Sequence, residues 1–116
     1  MMSTIVYKIL PRAAWTAACE AGVFLGAPVD LADGYIHFST AAQVVETAAK
    51  HFAGLADLVL VEVPAEALGV ALAWEPSRGG ALFPHLYASL DPALAVRVHD
   101  LPLGADGRHL FPETLP

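Results

Sequence analysis

The side chains best suited to chemistry lie in two short segments. In Tyr35-Ile36-His37-Phe38-Ser39, an extended backbone puts Ile36 and Phe38 on one face and Tyr35, His37 and Ser39 on the other, because side chains alternate along a strand. One face is oily and the other is a row of hydrogen-bonding groups. A helix is expected to start at Thr40, so Ser39, Thr40 and the first free backbone N–H groups can hold an anion such as a phosphate beside His37. The ordinary alternative is that Ser39 and Thr40 only cap the helix while His37 bonds a carbonyl. The second segment is Phe83-Pro84-His85-Leu86-Tyr87, where period two sets Phe83, His85 and Tyr87 on one side. Two rings and an imidazole can stack a planar base and bond its edge. Aromatics at this period also serve as plain core.

Two carboxylates join these rows. Glu75, beside Trp74, can stabilise a positively charged sugar transition state or orient a ribose hydroxyl. Glu62 interrupts the most apolar stretch and, if buried, must be paired or protonated. Either can be structural. The five histidines form no His-x-x-x-His pair and the single Cys19 has no second thiol, so a metal site is not expected. Cys19 reads as a small, inert core residue on a helical stripe. No Gly-x-Ser-x-Gly elbow, lysine-bearing phosphate loop or Gly-x-Gly-x-x-Gly fingerprint occurs, which removes motif support for ordinary hydrolase, nucleoside triphosphatase and Rossmann readings.

The elements that must position these groups are legible as a coarse pattern. A strand is expected over residues 5–10. Pro11 then opens a helix running to about residue 20, with Trp15, Ala18, Cys19 and Gly22 on its packing face. Residues 26–34 carry two glycines, Pro28, Asp30 and Asp33, which is turn chemistry. After the strand at 35–39, a helix starting at Thr40 has a capping pattern with Gln43, an apolar stripe of Val44, Val45, Ala48 and Phe52, and a Glu46/Lys50 pair on its wet side. Residues 58–63 read as a central strand buried on both faces. One helical turn at 64–68 leads to a strand at 70–75, a turn at 77–80, an extended segment at 82–87 and a half-exposed strand at 96–99. Both tryptophans are expected in the core, and residues 104–116 on the surface.

At 116 residues with 56% hydrophobic and 16% charged residues, the chain suits one domain with one core. Helices and strands do not alternate regularly, so an α+β domain with a mixed or split sheet and two main helices is expected. Six Lys and Arg face twelve Asp and Glu, for a formal charge of -6, a balance that repels a phosphate backbone, so nucleic acid is not an expected partner. No apolar stretch is long enough to span a bilayer and no leader pattern opens the chain, so no membrane partner and a cytoplasmic location are expected.

Trp15, the Gly34-Tyr35-Ile36-His37-Phe38-Ser39-Thr40 block, Gln43, Trp74-Glu75 and Phe83-Pro84-His85-Leu86-Tyr87 occur in this order. Through them the chain resembles a small bacterial family of unknown function, over about residues 7–101. That family's fold is similar to the ADP-ribosyltransferase fold, which holds NAD in a cleft between two sheet halves. The resemblance implies an NAD-like ligand, with NAD as substrate rather than resident cofactor. It assigns His37 to the ribose, Tyr87 to the nicotinamide and Glu75 to the oxocarbenium-like transition state. In the reading that follows, His37 and Glu75 are catalytic, while His37, Ser39, Thr40, His85 and Tyr87 bind the nucleotide. The rival reading is a non-catalytic domain that binds a small metabolite or a protein through the same cleft. His37→Ala is expected to change stability by no more than about 1 kcal/mol if the residue faces a cleft.

Overall fold

A computed structural model describes residues 4–113 and 115. The chain forms β1 (Ile5–Pro11), α1 (Arg12–Ala21), α2 (Pro28–Asp33), β2 (Ile36–His37), α3 (Ala41–His51), β3 (Leu58–Pro64), α4 (Ala65–Leu68), β4 (Leu72–Pro76), β5 (Leu82–Leu86) and β6 (Arg97–Leu101). The strands make two three-stranded sheets, ordered β1-β3-β6 and β2-β5-β4. The expected split is present, but the mixed strand directions are not. Every paired strand is antiparallel, because no helix in this chain carries it back between two neighbouring strands running the same way. The result is a compact α+β domain.

The β3 run Leu-Val-Leu-Val-Glu-Val is apolar at almost every position because it is the middle strand and is covered on both faces. On one face Leu58 and Leu60 join Tyr7, Ile9 and Leu101 beneath Val44 and Ala48 of α3. On the other, Val59, Val61 and Val63 join Val6 and Leu10 against Trp15 and Ala18 of α1 and Ile36, Phe38 and Leu86 of the second sheet. The two sheets are joined by an antiparallel bridge, in which Tyr7 N–H donates to the Ser39 carbonyl at 2.8 Å and Ser39 N–H donates to the Tyr7 carbonyl at 2.9 Å.

Several expectations give way to packing. Residues expected as a turn form the six-residue helix α2. Pro28 suits its first position, and the Asp30 carboxylate accepts the Ala27 N–H at 2.8 Å, closing the exposed amino end. Gly34 ends it at φ 89°, a left-handed conformation that costs glycine little. Gly26 is needed for closeness as well, since a Cβ there would lie 2.9 Å from the Cβ of Asp30.

Cys19 is exposed. The buried face of α1 runs through Trp15 and Ala18, with Ala14 packed beside them, and that phase turns position 19 outward. Trp74 is 41% exposed, because β4 is an edge strand and its outer part extends past the core. Val45 is also exposed, and Ala41 and Phe52 complete the stripe that Val44 and Ala48 begin.

The described residues after 104 do lie on the surface, but they are anchored, and residues 114 and 116 lie outside the described part of the chain. Leu103 and His109 form an antiparallel bridge, and Phe111 and Leu115 pack against the cluster under α3. Among the described residues, no helix is long and apolar enough to cross a membrane.

Candidate functional site

The second sheet brings the two polar rows onto one surface. His37 of β2 and His85 of β5 are direct cross-strand partners, so their side chains leave the same face of the sheet. The alternation that buries Ile36, Phe38 and Leu86 turns Tyr35, His37, His85 and Tyr87 the other way. The Tyr35 ring stacks on His85 with centroids 4.1 Å apart and lies 4.6 Å from His37 and 5.2 Å from Tyr87. Four rings from segments nearly fifty residues apart therefore form one cluster.

Glu75 reaches the same face from β4. Its Oε1 accepts hydrogen bonds from Tyr87 Oη at 2.7 Å and from His85 Nδ1 at 2.8 Å. Because a carboxylate can only accept, the His85 proton sits on Nδ1 in the neutral ring and Nε2 is left as an acceptor. Those two bonds, Tyr87 first, hold the Glu75 carboxyl below its ordinary value, so it stays ionised. The same bond from its hydroxyl to Glu75 pushes Tyr87 up to about 12. Burial raises Tyr35, with further contributions from the charges of Asp33 and Glu75.

Asp30 organises the other half. Its Oδ1 lies 2.6 Å from His37 Nδ1 and accepts the His37 backbone N–H at 3.1 Å, while Lys8 Nζ stands 3.0 Å from Oδ2. Lys8 and Asp30 are both buried. Burial opposes ionisation of Asp30, yet the bonds from His37, the Lys8 charge and the backbone donors together overcome it and hold the carboxyl at about 2. Burial also lowers Lys8, with Asp30 acting in the opposite direction. The second ring nitrogen of His37 lies 2.9 Å from Asp33 Oδ2. Both His37 bonds form together only when the ring carries two protons.

A cavity of about 300 Å³ opens at the end of this cluster. Tyr35, Tyr87 and Asp30 belong to both, and Leu25, Leu31 and Ala88 supply an apolar rim. Among the described residues, no group of three His, Cys, Asp or Glu side chains stands together so as to hold a metal ion.

Of the sequence-derived candidates, His37, His85, Tyr87 and Glu75 therefore converge. Ser39 and Thr40 lie away from the rings. Ser39 is buried, bridges the two sheets and donates from Oγ to Thr47 Oγ1 at 3.2 Å. Thr40 starts α3, where its N–H donates to Gln43 Oε1 at 3.0 Å, the expected capping contact. Glu62 belongs to the other sheet, where its Oε2 pairs with His99 Nε2. Three contributors were not singled out from sequence. Lys8 sits in an apolar strand with no mark of its role, and Asp30 and Asp33 read as turn residues. The only available signal was the spacing of Asp33 and His37, which a helix ending at Gly34 folds back into contact.

A family model described as protein of unknown function (DUF952) matches residues 9–98. The crystal structure of protein CC0527 from Caulobacter crescentus is similar, with 56% identity over 92% of this chain and 94% of that one and a TM-score of 0.90. The solution NMR structure of CC0527 shows 57% identity over 90% of each chain and a TM-score of 0.82. No curated protein matches the chain.

Proposed function

The chain belongs to the DUF952 family, and on that premise we propose that it binds an NAD-like nucleotide on the ring-bearing face of the second sheet and cleaves its N-glycosidic bond, in the manner of an ADP-ribosyltransferase. The observation that carries this reading is the meeting of His37, His85, Tyr35 and Tyr87 with an ionised Glu75. His37 is held through Nδ1 by the buried Asp30, and its Nε2 positions the ribose by exchanging its bond to the exposed Asp33 for one to a sugar hydroxyl. His85 and Tyr87, with Tyr35, form the wall for the aromatic base. Both bonds to Glu75 fall on Oε1, which leaves Oε2 as the oxygen that faces the developing charge. As the bond from the anomeric carbon to the base nitrogen breaks, its electron pair leaves with the base and positive charge grows on the sugar. The carboxylate stabilises that charge. A hydroxyl, amine or water then attacks the anomeric carbon and its proton passes to solvent. Ser39 and Thr40 act from behind the site, by fixing the start of α3 and its link to β1.

The test is chromatographic detection of nicotinamide released from NAD, beside calorimetric titration with NAD, ADP-ribose and nicotinamide. Glu75→Gln is expected to slow release by roughly 100-fold to 1000-fold while leaving binding nearly intact. No binding of these three or of nicotinamide riboside at millimolar concentration sinks the proposal.

One observation favours a second reading. Tyr35 stacks over His85, which is only 4% exposed, so a ligand seated on Tyr35 is kept from His85. The site then acts as a non-catalytic small-metabolite or protein-binding surface. Binding without nicotinamide release, unchanged by Glu75→Gln, selects this reading.

A further inference from the structure

We infer that the cleft recognises the ribosyl end of such a compound through a fixed positive charge on its base, so that its substrate class is a pyridinium-type nucleoside rather than a dinucleotide held by its pyrophosphate. The inference rests on the glycosidic reading above and narrows its ligand. Three features of the site carry it.

The first is the placement of cations. Lys8 is buried and neutralised by Asp30. Arg12 bonds Asp57 and Asp100 at the edge of the first sheet, Lys50 pairs with Glu46 on α3, Arg97 lies on β6 and Arg108 in the carboxyl-terminal segment. Among the described side chains, no Lys or Arg is left to meet a phosphate at the cleft. Asp33 and Glu75 border the adjoining ring cluster instead, bonded to His37 and to His85 and Tyr87, and both are partly exposed. A pyrophosphate would lie among carboxylates, where like charges repel.

The second feature is aromatic. Tyr35 and Tyr87 present rings 5.2 Å apart beside these carboxylates, and a ring face attracts a cation through its quadrupole. A flat cationic base meets both kinds of attraction in the same place. The third is size. A cavity of about 300 Å³ lies at the lower end of the range for small-molecule pockets, roughly 300–1,000 Å³. That space suits one aromatic ring and a pentose, with the apolar rim of Leu25 and Leu31 against the uncharged edge of the base.

The experiment compares two nucleosides of nearly one shape that differ in charge. The full chain is titrated calorimetrically with nicotinamide riboside, with its uncharged dihydro form, and with NAD and ADP-ribose, at low and high salt. The charged nucleoside is expected to bind at least tenfold more tightly than the dihydro form and more tightly than ADP-ribose, with the preference shrinking as salt screens the carboxylates. Asp33→Asn, with its fold checked by circular dichroism, is expected to reduce that preference several-fold. Equal binding of the charged and dihydro nucleosides, or tighter binding of ADP-ribose, overturns this inference while leaving glycosidic recognition standing. Absence of binding by all four overturns the underlying reading and this inference with it.

Discussion

Asp30 makes contact with Lys8, both halves of His37 and the amino end of α2, so its ionisation links the site to stability. A carboxyl held at about 2, below its ordinary 3.8, contributes stability that is fully present above about pH 4 and is lost as pH falls through about 2. Thermal unfolding between those limits should therefore show a loss on the order of 1–2 kcal/mol, and Asp30→Asn should flatten that part of the profile. Lys8→Met removes the buried partner and should cost about 3–5 kcal/mol, since it strands a charge. His37→Ala withdraws one ring donor from Asp30 and one from Asp33, while the backbone bond to Asp30 remains, so its cost should rise to about 1–3 kcal/mol, above the 1 kcal/mol that the strand pattern alone suggests. Chemical denaturation of the three variants checks these values together. In alkaline titration followed by absorbance, Tyr87 should ionise near 12, and Glu75→Gln should bring it down because the negative partner is gone. The ring rows were readable in the sequence because period two is a local property of a strand. The Lys8–Asp30 pair was not, since it joins β1 to a segment that looked like a turn and only the packed fold brings the two together.

Burial separates the two tryptophans at the level of elements. Trp15 lies on the inner face of α1 and is 8% exposed, whereas Trp74 stands on an edge strand and is 41% exposed. Trp15→Ala should cost about 3 kcal/mol or more; Trp74→Ala should stay within about 1 kcal/mol, and the difference should appear directly in Tm. Phe38→Ala, at 2% exposure between the sheets, should cost about 3–5 kcal/mol. The strands at residues 58–63 and 82–87 and the helices that follow Pro11 and Thr40 were legible because their apolar periods are long and their ends are marked, although Pro11 itself closes β1 and α1 starts one residue later, at Arg12. The phase of α1 was less legible, since alanines surround Cys19 and leave its stripe without a sharp edge. Helix α2 was hidden by brevity, being too short to show a helical period between two glycines.

Across the whole molecule, the polar face depends on two sheets that meet back to back through Ile36, Phe38 and Leu86 on one side and Val59, Val61 and Val63 on the other. Family membership fits this dependence, since the match over residues 9–98 runs from the end of β1 to the start of β6 rather than over the ring cluster alone. The order of the first sheet also governs how the chain is made. β1 is synthesised first, but its pairing partner is β3, which follows α1, α2, β2 and α3, and β3 in turn waits for β6. Only β4 and β5, joined by a short turn, can zip up locally, on the order of microseconds. Distant pairing of this kind slows refolding into roughly the millisecond-to-second range. On the ribosome, Val6, Ile9 and Leu10 emerge as an unpaired apolar edge well before Leu60 and Val61 arrive to cover it. During that interval the nascent chain exposes a ready template for another strand, and β1 is the segment through which a stalled or truncated product would aggregate or engage a chaperone.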